Sequence, residues 1–201
     1  MLSIIREKIR ALVTDFPKTG FETFLYTTSP TFTVAQENIT LTKVLLNGVE
    51  IDDYTFDTVT NKITITISAL DTTDVIEVDY TYYKYSNSEL NEYIRSALVW
   101  ISVYSSDEED YELELAEESG DHNLISPTPD NRTTDLIALI SSILIKPDYS
   151  QYKLPNVTVV YPRNMSKELR IEKLIGKFNV GLGINDVIEF DIYPYDQFNM
   201  N

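Results

Sequence analysis

The apolar residues of this 201-residue chain change their period twice, which constrains the fold more than any single motif does. Leu2, Ile5, Ile9, Leu12, Val13 and Phe16 fall on one stripe at helical spacing. Pro17 and Gly20 read as the end of that helix. From Phe21 to Tyr85 the period drops to two, the spacing of a half-buried strand. Helical spacing returns at Ser86. A helix as short as the first is marginal alone in water. It is therefore predicted to pack on the later helices, which makes the β segment an insertion into a helical bundle.

Turn chemistry divides the insertion. Asn47-Gly48 matches a tight type I′ turn, whose central residues both need positive φ. Val49 to Asp57 is predicted to return as the partner of Asn38 to Leu46. Asn61 turns the chain into Lys62 to Ser68, where Ile63, Ile65 and Ile67 share a face. Asp71 to Asp74 forms a polar corner before Val75 to Tyr83, with Ile76, Val78, Tyr80 and Tyr82 on one face. Turn signals about ten residues apart predict an antiparallel meander or small sandwich. Alternation slips between Leu41 and Val44 and again near Asp52-Asp53, which reads as bulges or strand bends.

Ser86 and Glu89 match a capping box opening a second helix. Its stripe is Leu90, Tyr93, Ile94, Ala97, Leu98, Ile101 and Tyr104; Trp100 lies off it, as a subunit anchor or a cap on the core. Leu136 to Ile145 is apolar nearly all round and is predicted to sit centrally. It is too short for the roughly 20 residues of a membrane span. Asn156 to Tyr161 reads as a short strand or an extended crossover. Ser166 caps a last helix that packs through Leu174, Ile175 and Phe178. The expected fold class is α+β: a helical bundle with an inserted antiparallel β-sandwich or meander module and an extended C-terminal tail. The expected segments are 1–20 (first helix), 21–85 (β module), 86–178 (helical body with an acidic loop) and 179–201 (tail).

Little here points to chemistry. Without cysteine, disulfide scaffolds, thiolate zinc sites and cysteine nucleophiles are excluded. One histidine, His122, excludes a two-histidine metal site and reads as a surface residue. Asp107-Glu108-Glu109-Asp110 lacks the alternating ligands and glycine of a calcium loop. Gly181 and Gly183 lack the third glycine of a dinucleotide loop. Glu112 and Glu114 alternate on one strand face rather than flanking a cleft as a glycosidase pair does. The expectation is no enzyme, no cofactor and no metal. Charges at Arg6, Glu7, Lys8 and Arg10 interrupt any signal-peptide core, so a protein made and kept in a cytoplasm, or in a particle assembled there, is expected.

Charge carries more. Thirty-two acids face sixteen bases, a formal −16, which excludes most nucleic-acid readers. From Asp107 to Asp121 there are nine acids and no base. Lys153 to Lys177 holds six bases against Glu168 and Glu172. Opposite faces on one protomer favour a head-to-tail contact that closes into a ring when the rotation allows. Arg163, Lys167, Arg170 and Lys173 are the predicted basic side of that contact. Tyr80, Tyr82, Tyr83 and Tyr85 read equally as interface or core.

Two groups of segments carry a resemblance. Val44-Leu-Leu-Asn-Gly-Val-Glu-Ile, Tyr54, Lys62-Ile-Thr-Ile and Asp74-Val-Ile-Glu-Val-Asp-Tyr80 resemble a small β module of tailed-phage virion proteins. Ser88 to Leu98 and Leu136 to Pro147 resemble the helical body of phage head–tail connector proteins, or adaptors. The resemblance implies a homo-oligomeric ring of about twelve copies at the virion neck. Its implied partners are the portal, a lower neck or tail-completion protein, and fibres if the β module faces outward. DNA would pass through the lumen without specific binding. The tail would contact portal or neighbour through Tyr193, Pro194, Tyr195 and Phe198. Asp107, Glu108, Glu109 and Asp110 would line the channel, repelling phosphate. Minimal adaptors lack an insertion as large as 21–85, which leaves open which neck ring this is. The other reading is a receptor- or glycan-binding structural module of a fibre or baseplate.

Overall fold

The structure, a computed structural model, describes residues 1–104, 110–114, 124–179 and 186–189. Helix α1 (Leu2–Val13) buries Leu2, Ile5, Ile9, Leu12 and Val13. It ends where Thr14 turns left-handed, at φ 58°, and bonds back to the Ala11 carbonyl at 3.3 Å. Phe16 therefore lies outside the helix and is 63% exposed, so it leaves the expected stripe. Gly20 is no helix stop either. It sits inside the first strand, opposite Tyr80, where a Cβ would come 2.2 Å from the tyrosine ring.

The fold is α+β, with four helices and mostly antiparallel strands among the described residues. The chain divides into two compact units: Asp15–Ser86, and Met1–Thr14 together with Asn87–Asn201. The first holds β1 (Lys18–Leu25), β2 (Thr31–Thr33), β3 (Ile39–Leu46), β4 (Val49–Glu50), β5 (Tyr54–Asp57), β6 (Lys62–Ile65) and β7 (Val75–Tyr82). They form two antiparallel sheets, ordered β1-β7-β3-β4 and β2-β6-β5. This order is not a meander, because the first strand pairs with the last.

The short β4 explains the departure. Asn47 and Gly48 make the expected turn, with φ 52° and 79°. The returning strand then stops at Glu50, and by Tyr54 the chain has joined the second sheet. Side chains fasten this corner. The Asn47 amide donates to Asp74 Oδ1 at 2.7 Å and accepts from the Val75 N–H at 2.9 Å. A register shift between Leu41 and Lys43 is the bulge that the slipped alternation signals. Phe32, Val34, Ile39, Val44, Ile63, Ile65, Ile76, Val78 and Tyr80 make one core. Tyr80 is thus a core residue whose hydroxyl donates to Glu22 Oε1 at 2.8 Å. The buried Asp15 carboxylate accepts from the Lys84 and Tyr85 N–H groups at 2.8 and 3.3 Å, tying together the two ends of this unit.

The second unit contains α1, α2 (Asn87–Tyr104), β8 (Glu112–Glu114), β9 (Leu124–Ser126), α3 (Asn131–Ile145), β10 (Gln151–Lys153), β11 (Val157–Val160), α4 (Lys167–Asn179) and β12 (Asp186–Glu189). Helix α3 is buried on all sides from Thr134 to Ile143 and packs on α1, α2 and α4. Asp130 caps it, accepting from the Thr133 N–H at 2.6 Å; that bond holds its carboxyl below the usual range. Two lysines fasten α1 to its surroundings. Lys8 Nζ reaches Asp135 at 2.6 Å, and Lys146 Nζ reaches the Val13 carbonyl at 2.5 Å. The second bond satisfies an orphan carbonyl at the C-terminal end of α1. Strand β12 pairs in parallel with β11 across α4, a β-α-β crossover. That strand lies in the segment expected to be an extended tail.

Candidate interaction surfaces

The predicted basic face loses one member. Arg163 and Lys167 are exposed and Lys173 is half-buried, but Arg170 is 1% exposed. Its Nη1 donates to the Pro147 carbonyl and, at 2.8 Å, to Tyr149; its Nη2 donates to Pro162 at 3.1 Å and Arg163 at 3.4 Å. The guanidinium also lies 5.4 Å over the Tyr161 ring. Buried in this way, Arg170 offers nothing to a neighbour. The correction is physical: five fixed donors can neutralise a cluster of backbone carbonyls, so an arginine with such a cluster belongs inside. Burial also pushes the hydroxyls of Tyr161 and Tyr152 well above the usual tyrosine value, though Arg170 opposes the shift in both.

Helix α2 is apolar on two faces. Leu90, Ile94, Ala97, Leu98 and Ile101 are buried within the helical unit. A second stripe points away: Val99 is 58%, Val103 66% and Tyr104 43% exposed. Tyr104 is thus not on the buried stripe where spacing placed it. Trp100 stacks on Tyr104 with ring centroids 5.3 Å apart. With Ser96 these residues line an open depression of about 360 Å³. Val99 also borders a second depression of about 390 Å³, shared with Arg95, Asp110 and Glu112. Sequence reading found Trp100 but missed Val99 and Val103. The available signal was the spacing of 96, 99, 100 and 103, a second helical series beside the first.

Asp110, Glu112 and Glu114 are exposed; the first two line the second depression, and Leu113 is half-buried between the two glutamates. Asp107, Glu108 and Glu109 lie outside the described residues, as do His122, Gly181, Gly183, Tyr193, Pro194, Tyr195 and Phe198. Among the described residues no three of His, Cys, Asp or Glu converge to hold a metal ion. No described helix is long and apolar enough to cross a membrane.

No protein-family model matches the chain, and no curated protein matches it either.

Proposed function

We propose that this protein is a structural head–tail connector of a tailed phage. In this reading it forms a ring at the virion neck that joins the portal to lower neck or tail proteins and lets DNA pass. The four helices act as the bundle body, the Asp15–Ser86 unit is an inserted β-sandwich, and residues beyond β12 reach the portal. The observation that carries the reading is the second apolar stripe of α2, exposed over Val99, Val103 and Tyr104. A contiguous exposed apolar patch of this kind marks a contact site, which an assembling subunit requires. The segregated charge adds support: an acidic segment at 107–121 suits a wall that DNA slides past, and the sequence resemblance points the same way.

Native mass measurement and electron microscopy of the purified protein test this. A closed ring of about twelve copies is expected. A stable trimer would move the assignment to a fibre or baseplate module. A protein that stays monomeric at every concentration, with or without portal, would defeat the connector reading.

A further inference from the structure

Helix α4 carries an oddity that the fold does not use. Gly176 sits in the last turn of the helix, and glycine is the poorest helix former after proline. A Cβ built there would meet nothing within 4 Å, so no contact among the described residues requires glycine. With no Cβ and nothing over it, Gly176 leaves an open notch on the helix surface where another chain can approach closely. The same line of α4 holds Leu169, 41% exposed, then Lys173 and Lys177, at offsets of four, seven and eight residues along with the glycine. Among the described residues Lys173 and Lys177 make no ion pair; the nearest one on α4 joins Lys167 to Glu168 at 3.9 Å.

The α2 face has the complementary character. Val99 belongs both to the depression of Trp100, Val103 and Tyr104 and to the neighbouring one, which Asp110 and Glu112 line with Arg95 as its base; Glu114 follows Glu112 on the same side of β8. Strand β8 packs beside α2, and the two depressions meet at Val99, so the acids adjoin the apolar stripe. One surface is apolar with an acidic rim; the other is a notch flanked by lysines. We infer that a second copy of this chain lays its α4 line of Leu169, Lys173, Gly176 and Lys177 onto the α2 face of the first. Trp100 and Val103 sit over the Gly176 notch, and Lys173 and Lys177 reach Glu112 and Glu114. The contact joins two different surfaces, so it repeats head to tail and closes only if the rotation permits. This inference rests on the ring reading and assigns its subunit contact.

The test uses the full chain and three variants. Gly176→Gln fills the notch with a better helix former, so the isolated subunit should gain about 2–4 °C in Tm. Its association should nonetheless weaken at least about tenfold, the size expected for losing a central packing contact. Two charge reversals are made separately: Glu112→Lys with Glu114→Lys, and Lys173→Glu with Lys177→Glu. Each should fail to assemble alone, and mixing them should restore assembly, since every junction is then oppositely charged. Circular dichroism and Tm show that each variant is folded. If wild-type rings form and all three variants assemble equally well, the contact is overturned while the ring reading stands. If wild type forms some other oligomer that the reversals break and the mixture restores, the contact holds and the ring reading falls. A wild-type chain that never associates overturns both.

Discussion

Arg170 shows what one residue does when burial rather than charge decides its place. Its outer nitrogens gather the carbonyls of Pro147, Tyr149, Pro162 and Arg163, fastening the chain before β10 to the chain before α4. A hydrogen bond from a charged donor is worth about 1.5–3 kcal/mol, and buried carbonyls left without donors add to the loss. Arg170→Met is therefore expected to destabilise the protein by about 4 kcal/mol in urea unfolding. A loss under about 1 kcal/mol would remove the clamp from the account. Arg170→Lys should recover little, because an ammonium lacks the planar fork. Tyr80 gives a residue-scale prediction in pH. Burial first, and then the bond to Glu22, push its hydroxyl from 10.0 up to about 12. The folded state thus prefers the neutral phenol. Its contribution is complete below pH 10 and is lost as pH rises through about 12. The stability lead of wild type over Tyr80→Phe should accordingly shrink across that window; a constant lead would show that Tyr80 ionises alike in both states.

At the scale of elements, β1 tests how a strand finds its partner. Its alternation marks which residues face inward but carries no record of which strand lies alongside. The partner is β7, at least fifty residues away, and the register sets Gly20 against Tyr80. Gly20→Ala would drive a methyl group into that ring, which lies 2.2 Å from the Cβ position. Overpacking of this kind costs about 1–3 kcal/mol. The same substitution in a Tyr80→Ala background should cost far less, and equal costs in the two backgrounds would mean the register is wrong. Elements set by local physics were legible beforehand. The stripe of α1, the all-round burial of α3, the Asn47-Gly48 turn and the Leu41 bulge all follow from spacing or from one residue's φ preference. Elements set by distant partners were not. Nothing local shows that β4 stops after two residues, or that β12 forms beyond α4 by pairing with β11. The exposed face of α2 failed for a different reason: helical spacing marks an apolar face, and core and interface share that signature.

For the whole molecule the decisive quantity is where the charge lies. The β unit holds eleven acids and four bases, an excess spread over its loops and strands. The helical unit differs. Outside residues 107–121 it has twelve acids and twelve bases, so its entire excess sits in that one segment. An excess serving solubility alone has no reason to be concentrated, whereas a concentrated one makes a local field. In the proposed ring, Asp107, Glu108 and Glu109 of that segment would face a channel and keep a polyanion moving, while Glu112 and Glu114 stand at the subunit contact. Replacing Asp107, Glu108 and Glu109 by Asn and Gln leaves Glu112 and Glu114 in place, so the subunit contact and ring mass should not change. DNA release from virions carrying the variant should slow, and the difference should be largest at low salt. The Debye length falls from about 30 Å at 0.01 M to about 10 Å at 0.1 M, so added salt should bring wild type towards the variant. Release kinetics that match at low ionic strength would take these acids off the channel wall and leave them as ordinary solvated side chains.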